Sequence, residues 1–208
     1  MTPEESVVGL TVGELLAGVA SREVTPSGGA VAAVGGAAGA ALCEMTCIHT
    51  LAGVDDPDDS RIADLGEAED DLAEGRADLL ALADEDVAAV EALQEAFADA
   101  DSIHDEPVQR AAERATEVPL ETAGACHGVL ESTVVATDAG EPNAVPDAGT
   151  GGSLVHAGLR AGVWTARSNL PVLDDEGFVA DARERADDLE SAGAHRIDDV
   201  AANVRETW

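Results

Sequence analysis

The chain has 208 residues, enough for a single domain spanning 1–208 with a sizeable core and no need of disulfides or a structural metal. Its 43 acidic residues stand against 11 basic ones, every one an arginine, for a net charge of -32 at pH 7. A field of that sign excludes nucleic acid as a partner, because counterion release needs clustered lysine or arginine.

Such a charge strains a compact fold through self-repulsion unless salt screens it. At 1 M salt the Debye length falls to about 3 Å, and an acidic surface becomes tolerable. Loss of every lysine alongside the acid excess points to the salt-rich cytosol of a halophile. Hydrophobic residues make up 45% of the chain, which argues against an acidic disordered segment. Met1 to Ser6 is acidic and does not read as a secretory leader. The longest uncharged run, Val24 to Cys43, is weakly hydrophobic alanine and glycine and stops at Glu44, short of a membrane span. The expectation is a soluble cytoplasmic protein with no membrane partner.

Strand signals are nearly absent: tyrosine is missing, aromatics are 2%, and no stretch alternates apolar and polar for long. Alanine, leucine and glutamate dominate and favour helix. Turn clusters fall at Thr25-Pro26-Ser27-Gly28-Gly29, Gly53 to Asp59, Asp101 to Pro107, Ala139 to Pro146 and Asp174 to Gly177. They divide the chain into an all-α bundle of roughly six helices.

Taken in order, the turn at Ser27-Gly28-Gly29 opens a helix whose N-terminus can hold an anion. The helix that follows, Ala30 to Cys47, carries Gly35-Gly36 and Gly39. Cys43 and Cys47 stack on it as apolar filler, and with Cys126 they make no disulfide framework. Next, Arg61 to Asp99 sets Leu65, Leu72, Leu79 and Leu93 in steps of seven, with a second row at Ala83, Val90 and Phe97. That spacing is a helical packing seam. Asp86 occupies the one place in the leucine row where a leucine is missing. An acid on an apolar seam is either satisfied by a neighbour or tuned for chemistry. Its neighbours Asp84 and Glu85 point elsewhere and read as solvated.

Further on, Ala148 to Gly162 is a second small-residue helix, with Gly149, Gly151-Gly152, Gly158 and Gly162. Each helical glycine costs about 1 kcal/mol relative to alanine, so two such helices need close backbone packing, within the chain or across a dimer. No histidine has a glutamate three residues before it and no Cys-x-x-Cys spacing occurs, so no metal site is expected.

Thr25-Pro26-Ser27-Gly28-Gly29-Ala30-Val31-Ala32-Ala33 resembles the Pro-Gly-Gly-Gly-Ser-Val-Ala-Ala opening of the cyclodeaminase/cyclohydrolase family. Three further stretches match in order: Asp84-Glu85-Asp86, Ala115-Thr116-Glu117-Val118-Pro119-Leu120, and Asn143-Ala144-Val145-Pro146-Asp147-Ala148-Gly149. Arg167-Ser168-Asn169-Leu170 matches as well, so the resemblance runs from about Val12 to His195. It implies a dimeric or larger all-helical protein that handles one-carbon units on tetrahydrofolate, without a permanently bound cofactor. One activity of the family adds water to 5,10-methenyltetrahydrofolate to give 10-formyltetrahydrofolate. The other closes 5-formiminotetrahydrofolate to the methenyl form and releases ammonia. The first is preferred here because no formiminotransferase domain accompanies the chain. The alternatives are the second activity, or a non-catalytic helical protein that binds folate.

Both reactions pass through a tetrahedral carbon between N5 and N10, and both need proton transfer and a cation-stabilising environment. Asp147, in its Asn-x-x-x-Asp-x-Gly motif, is the first candidate for that work, although an aspartate there would equally cap its helix. Asp86 is the second. Relatives carry a lysine-rich turn after the first small-residue helix, and His49 is the nearby group able to replace it. Ser27, Gly28 and Gly29 form the anion turn that the resemblance implies, and Asn143 and Asn169 are placed to hydrogen-bond the pterin or formyl oxygen. Arg160 and Arg167, seven apart on one helical face, suit the glutamate tail of folate or else a surface salt bridge. On one straight helix Asp147 and Asn169 lie about 33 Å apart at 1.5 Å per residue. A single site holding both requires a broken helix or a second subunit, and the shared site is preferred. The chain departs from the family at Ser27, Ala30 and Pro146, where glycine, serine and serine are usual.

Overall fold

The first helix, α1 (Val12–Val19), is opened by a capping box: the Thr11 hydroxyl accepts the Glu14 N–H, and the Glu14 carboxylate accepts the Thr11 N–H. Five longer helices follow: α2 (Gly28–Ala52), α3 (Arg61–Asp99), α4 (Glu106–Ala139), α5 (Val145–Asn169) and α6 (Glu176–Glu206). Six helices and two single 3-10 turns, Val7–Gly9 and Leu170–Val172, are the regular structure of the described residues, with no strand among them. The computed structural model describes residues 6–56 and 58–207. The acidic start at Met1 to Glu5 and Pro57, within the Gly53 to Asp59 turn cluster, lie outside the described residues.

Helices α2, α3, α4 and α5 run up and down as a four-helix bundle, each packed on its neighbours around the ring, and α6 lies in the groove between α4 and α5. Leu65, Leu72 and Leu79 are fully buried, each contributing about 1.5–3 kcal/mol by removal from water. The seam fades beyond Asp86: Leu93 and Val90 are half-buried and Phe97 is exposed. The spacing of sevens continues there, but α3 has 39 residues against 25 in α2, and its last turns outreach the bundle.

The two small-residue helices meet backbone to backbone, antiparallel. A Cβ on Gly39 would lie 2.5 Å from the Gly151 carbonyl oxygen, and one on Gly151 would lie 2.5 Å from that of Gly39. A Cβ on Gly158 would lie 2.8 Å from the Ala32 carbonyl oxygen. Only hydrogen fits at these crossings, which is the compensation for the helical cost of so much glycine. Cys43, Cys47 and Cys126 are buried in the same core. Burial pushes the Cys43 thiol up to about 11 and the other two up to about 12, so all three stay protonated and unreactive.

Helix α2 does not stop at Glu44 but continues to Ala52, and its 25 residues contain an 18-residue apolar window that gives it the length and composition of a membrane-crossing helix. Half of that apolar window is buried inside the bundle. Its other face remains open, with Val31 and Ile48 exposed, and α5 adds Leu154 and Trp164 to the exposed apolar residues.

Candidate active site

Asp147 stands in the first turn of α5, where the positive end of the helix dipole favours a carboxylate. The capping residue is Ala144, and no side chain caps this helix. Asp147 is exposed, and among the described residues its carboxylate takes no hydrogen bond, so it is free to meet a ligand. The turn that delivers it is held from below by α2. Thr46 Oγ1 donates to the Ala144 carbonyl at 3.2 Å, and the Glu141 N–H donates to Thr50 Oγ1 at 2.9 Å. Both threonines are fully buried. His49 therefore sits beside the threonine that anchors the turn carrying Asn143 and Asp147. His49 and Asn143 are exposed too. One end of the bundle thus gathers three of the candidate residues. A groove of about 420 Å3 between α5 and α6 is lined by Pro146, Thr150, Ser153, Val200, Val204 and Arg205 among others, and none of the three candidates is in its lining.

The remaining candidates lie elsewhere. Ser27, Gly28, Gly29 and Asp86 meet at the opposite end of α2, about 30 Å from His49 at 1.5 Å per residue. Asp86 is 2% exposed; its Oδ2 accepts the Ala30 N–H at 2.8 Å and the Ser27 hydroxyl at 3.3 Å. Burial raises its pKa, opposed by those two donors. Asp84 and Glu85 are not merely solvated, as the sequence suggested. Asp84 accepts from the Val7 N–H at 2.6 Å and the Ser6 hydroxyl at 2.7 Å, while Glu85 pairs with Arg114.

Asn169 has a structural task that its motif did not reveal. Pro119 lies inside α4 and has no N–H, so the carbonyl of Ala115, four residues earlier, loses its helical donor. Asn169 Nδ2 donates to that carbonyl at 2.7 Å. The Ala115-to-Leu120 and Arg167-to-Leu170 motifs thus meet as a proline break and its repair. Changing Asn169 to Ala is expected to cost about 1–3 kcal/mol, the penalty for a buried unpaired carbonyl. Thermal melting checks this, and an unchanged Tm would show that the repair is dispensable.

The arginine pair does not act as one face for an anionic tail. Arg167 is engaged by Asp187 at 2.5 Å and Glu190 at 2.7 Å on α6. Arg160 lies exposed over the Trp164 ring, 4.9 Å from its centroid, in a cation–π contact. Helix α5 runs unbroken from Val145 to Asn169, so the broken-helix route to joining Asp147 and Asn169 is closed. Among the described residues no three His, Cys, Asp or Glu side chains gather in a way that could hold a metal ion.

Fold and site together describe a helical enzyme domain whose glycine-packed helices present polar groups at their ends. Residues 11–188 match the formiminotransferase-cyclodeaminase family. Over 186 residues the chain is 32% identical to methenyltetrahydrofolate cyclohydrolase of Methylorubrum extorquens, covering 86% of this chain and 87% of that one. Its fold is similar to the crystal structure of formiminotetrahydrofolate cyclodeaminase from Thermotoga maritima, with a TM-score of 0.88 and 24% identity. That likeness covers 97% of this chain and 100% of the other. The chain belongs to the formiminotransferase-cyclodeaminase family.

Proposed function

We propose that this chain hydrolyses 5,10-methenyltetrahydrofolate to 10-formyltetrahydrofolate in the cytoplasm. The observation that carries the reading is the 32% identity, along 86% of the chain, to a protein of that activity. Water adds to the cationic carbon bridging N5 and N10, and Asp147 takes the proton that the water gives up. The same carboxylate stabilises the cation before attack. The tetrahedral carbon then loses its bond to N5 as its hydroxyl gives up its proton and becomes the formyl C=O; N5 receives a proton, and the formyl group stays on N10. Asn143 supports the developing formyl oxygen by hydrogen bonding, and the His49 imidazole at the same end is the candidate proton relay.

A second reading is ring closure of 5-formiminotetrahydrofolate with release of ammonia, favoured by the fold shared with the Thermotoga maritima protein. Both reactions pass through the same tetrahedral carbon, so one site serves either. The test is an assay in multimolar KCl, which screens the -32 charge that repels anionic folate. Loss of the methenyl chromophore above the spontaneous rate supports hydrolysis. Gain of that chromophore with ammonia release supports the second reading, and no change in either rate in the folded protein rejects both.

The working form in this proposal is a homodimer joined through the open faces of α2 and α5. Supporting it are the exposed Val31 and Ile48 on α2 and Leu154 and Trp164 on α5, the last 56% exposed. A two-fold pairing of antiparallel helices sets the Asp147 end of one chain beside the Ser27 end of its partner, which completes a site that one chain cannot assemble. Changing Trp164 to Glu is expected to shift the protein to monomer in sedimentation at high salt and to lower turnover with it. A dimer of undiminished affinity would place the interface elsewhere.

A further inference from the structure

Arginine is scarce on this chain, and most of it is engaged by the chain's own acids. Seven of the 11 arginines are held in ion pairs. Arg205, in the last turn of α6, is in no ion pair among the described residues, although the chain has 43 acids. It is exposed, and it is the one charged side chain in the lining of the groove of about 420 Å3 between α5 and α6. Small-molecule sites usually measure about 300–1,000 Å3. The rest of the lining is apolar or already satisfied. Val200 is fully buried and underlies the groove with Ile197 and Val204. The Thr150 hydroxyl donates to the Pro146 carbonyl and the Ser153 hydroxyl to the Gly149 carbonyl, both at 3.0 Å. Neither proton is left for a ligand, so the groove suits an apolar body with an anionic end. A Cβ on Gly149 would lie 2.6 Å from Val204 Cγ2, so this glycine lets α6 bring Val204 and Arg205 against α5.

Asp147 is not in the lining, but it stands three residues before Thr150, which is. Side chains three apart on a helix are neighbours, with Cβ atoms about 5–6 Å apart. In folate the aryl ring is bonded directly to N10, and the glutamate carboxylates follow the ring. A one-carbon bridge held at Asp147 therefore brings the ring to the mouth of the groove at Thr150. We propose that this groove receives the aryl ring of the reduced folate and that Arg205 binds a carboxylate of its glutamate tail. The proposal rests on the reading of Asp147 as the reacting end of the folate site. Arg205 takes the place of the pair expected from the sequence, since Arg167 is held by α6 and Arg160 lies over Trp164. Its guanidinium offers a planar fork to a carboxylate, and a pair in hydrogen-bond contact survives the salt that screens distant acids.

The test compares two substrates in multimolar KCl: 5,10-methenyltetrahydrofolate, and the analogue in which a neutral amide replaces the glutamate. With the unsubstituted protein, the amide is expected to show a KM about tenfold higher than the full substrate. In Arg205→Gln the KM for the full substrate is expected to rise about tenfold and the two values to converge, with kcat moving less. Arg183→Gln controls for charge alone, because Arg183 lies about 33 Å away along α6 and is expected to leave both KM values as they are. Ser153→Trp, which fills the groove from an exposed position, is expected to raise KM for both substrates. An unchanged KM ratio in Arg205→Gln, or an equal rise in Arg183→Gln, would overturn the assignment. A shift of Ser153→Trp to monomer in sedimentation would make the groove a contact between copies and also overturn it. The groove is read without turnover by titrating p-aminobenzoylglutamate and following NMR shifts. Shifts at Val204 and Arg205 that Arg205→Gln weakens support the groove even where neither folate reaction is detected. Shifts confined to other residues, or none, reject the groove whatever the turnover.

Discussion

Asp147→Asn is expected to lower kcat by about a hundredfold to ten-thousandfold, the usual range for a positioned acid or base, while substrate affinity changes little. Asparagine keeps the size and the exposed position of the side chain but cannot take a proton from water. The fold should not suffer, because Ala144 is the residue at the cap of α5 and no side chain bond there depends on Asp147. Rate and binding are measured separately, the first from the methenyl chromophore and the second from titration with an unreactive reduced folate. Equal turnover in the variant would remove Asp147 from the chemistry. Equal binding with no turnover in either protein would favour a folate-binding protein without catalysis.

The second large effect concerns the crossing of α2 and α5. Gly151→Ala places a methyl group 2.5 Å from the Gly39 carbonyl oxygen and 2.7 Å from Cys43 Sγ. Backbone cannot yield as a side chain does, so the two helices must separate. The expected cost is about 1–3 kcal/mol, the range for overpacked cores. At roughly 2–4 °C per kcal/mol for a chain of this size, the loss is visible in a melting curve. Gly66→Ala supplies the contrast. No atom lies within 4 Å of a Cβ there, and the residue is inside α3, so alanine is expected to stabilise by about 0.5–1 kcal/mol. Two identical substitutions of opposite sign would confirm that backbone contact, not helix propensity, governs α5. A destabilised Gly66→Ala, or an unaffected Gly151→Ala, would reject that account.

Much of the bundle was legible because its signals are local. Leu65, Leu72 and Leu79 share a face by helical period alone, and all three are buried. The turn clusters carry their own backbone chemistry, so the breaks between helices followed from Gly, Pro and Asp without knowledge of the neighbours. The burial of Asp86 was legible for the same reason, since its place in the row was known before its partner. What failed was the far end of that row. Leu93 and Phe97 keep the period, but α2 begins only at Gly28, level with Asp86, so beyond it α3 has lost that neighbour and Leu93 keeps only partial cover from Ala115 and Val118 of α4.

The candidate residues divide along the same line. Residue type and motif were enough to select Asp147, His49, Asn143, Asp86 and Asn169, but not to assign each a task. Asn169 repairs the carbonyl that Pro119 leaves without a donor, across a sequence separation of 54 residues. Arg167 is held by α6, and Thr46 and Thr50, which no motif marked, hold the turn that carries Asp147. Hydrogen bonds between helices depend on which turn faces which, and period does not encode that. Composition and spacing by themselves determined an acidic, all-helical chain with two glycine-packed helices. Only the tertiary structure decided that Asp86 is enclosed against Gly29 while Asp147 stays open, because exposure is a property of what packs around a carboxylate and not of the residues beside it in the chain.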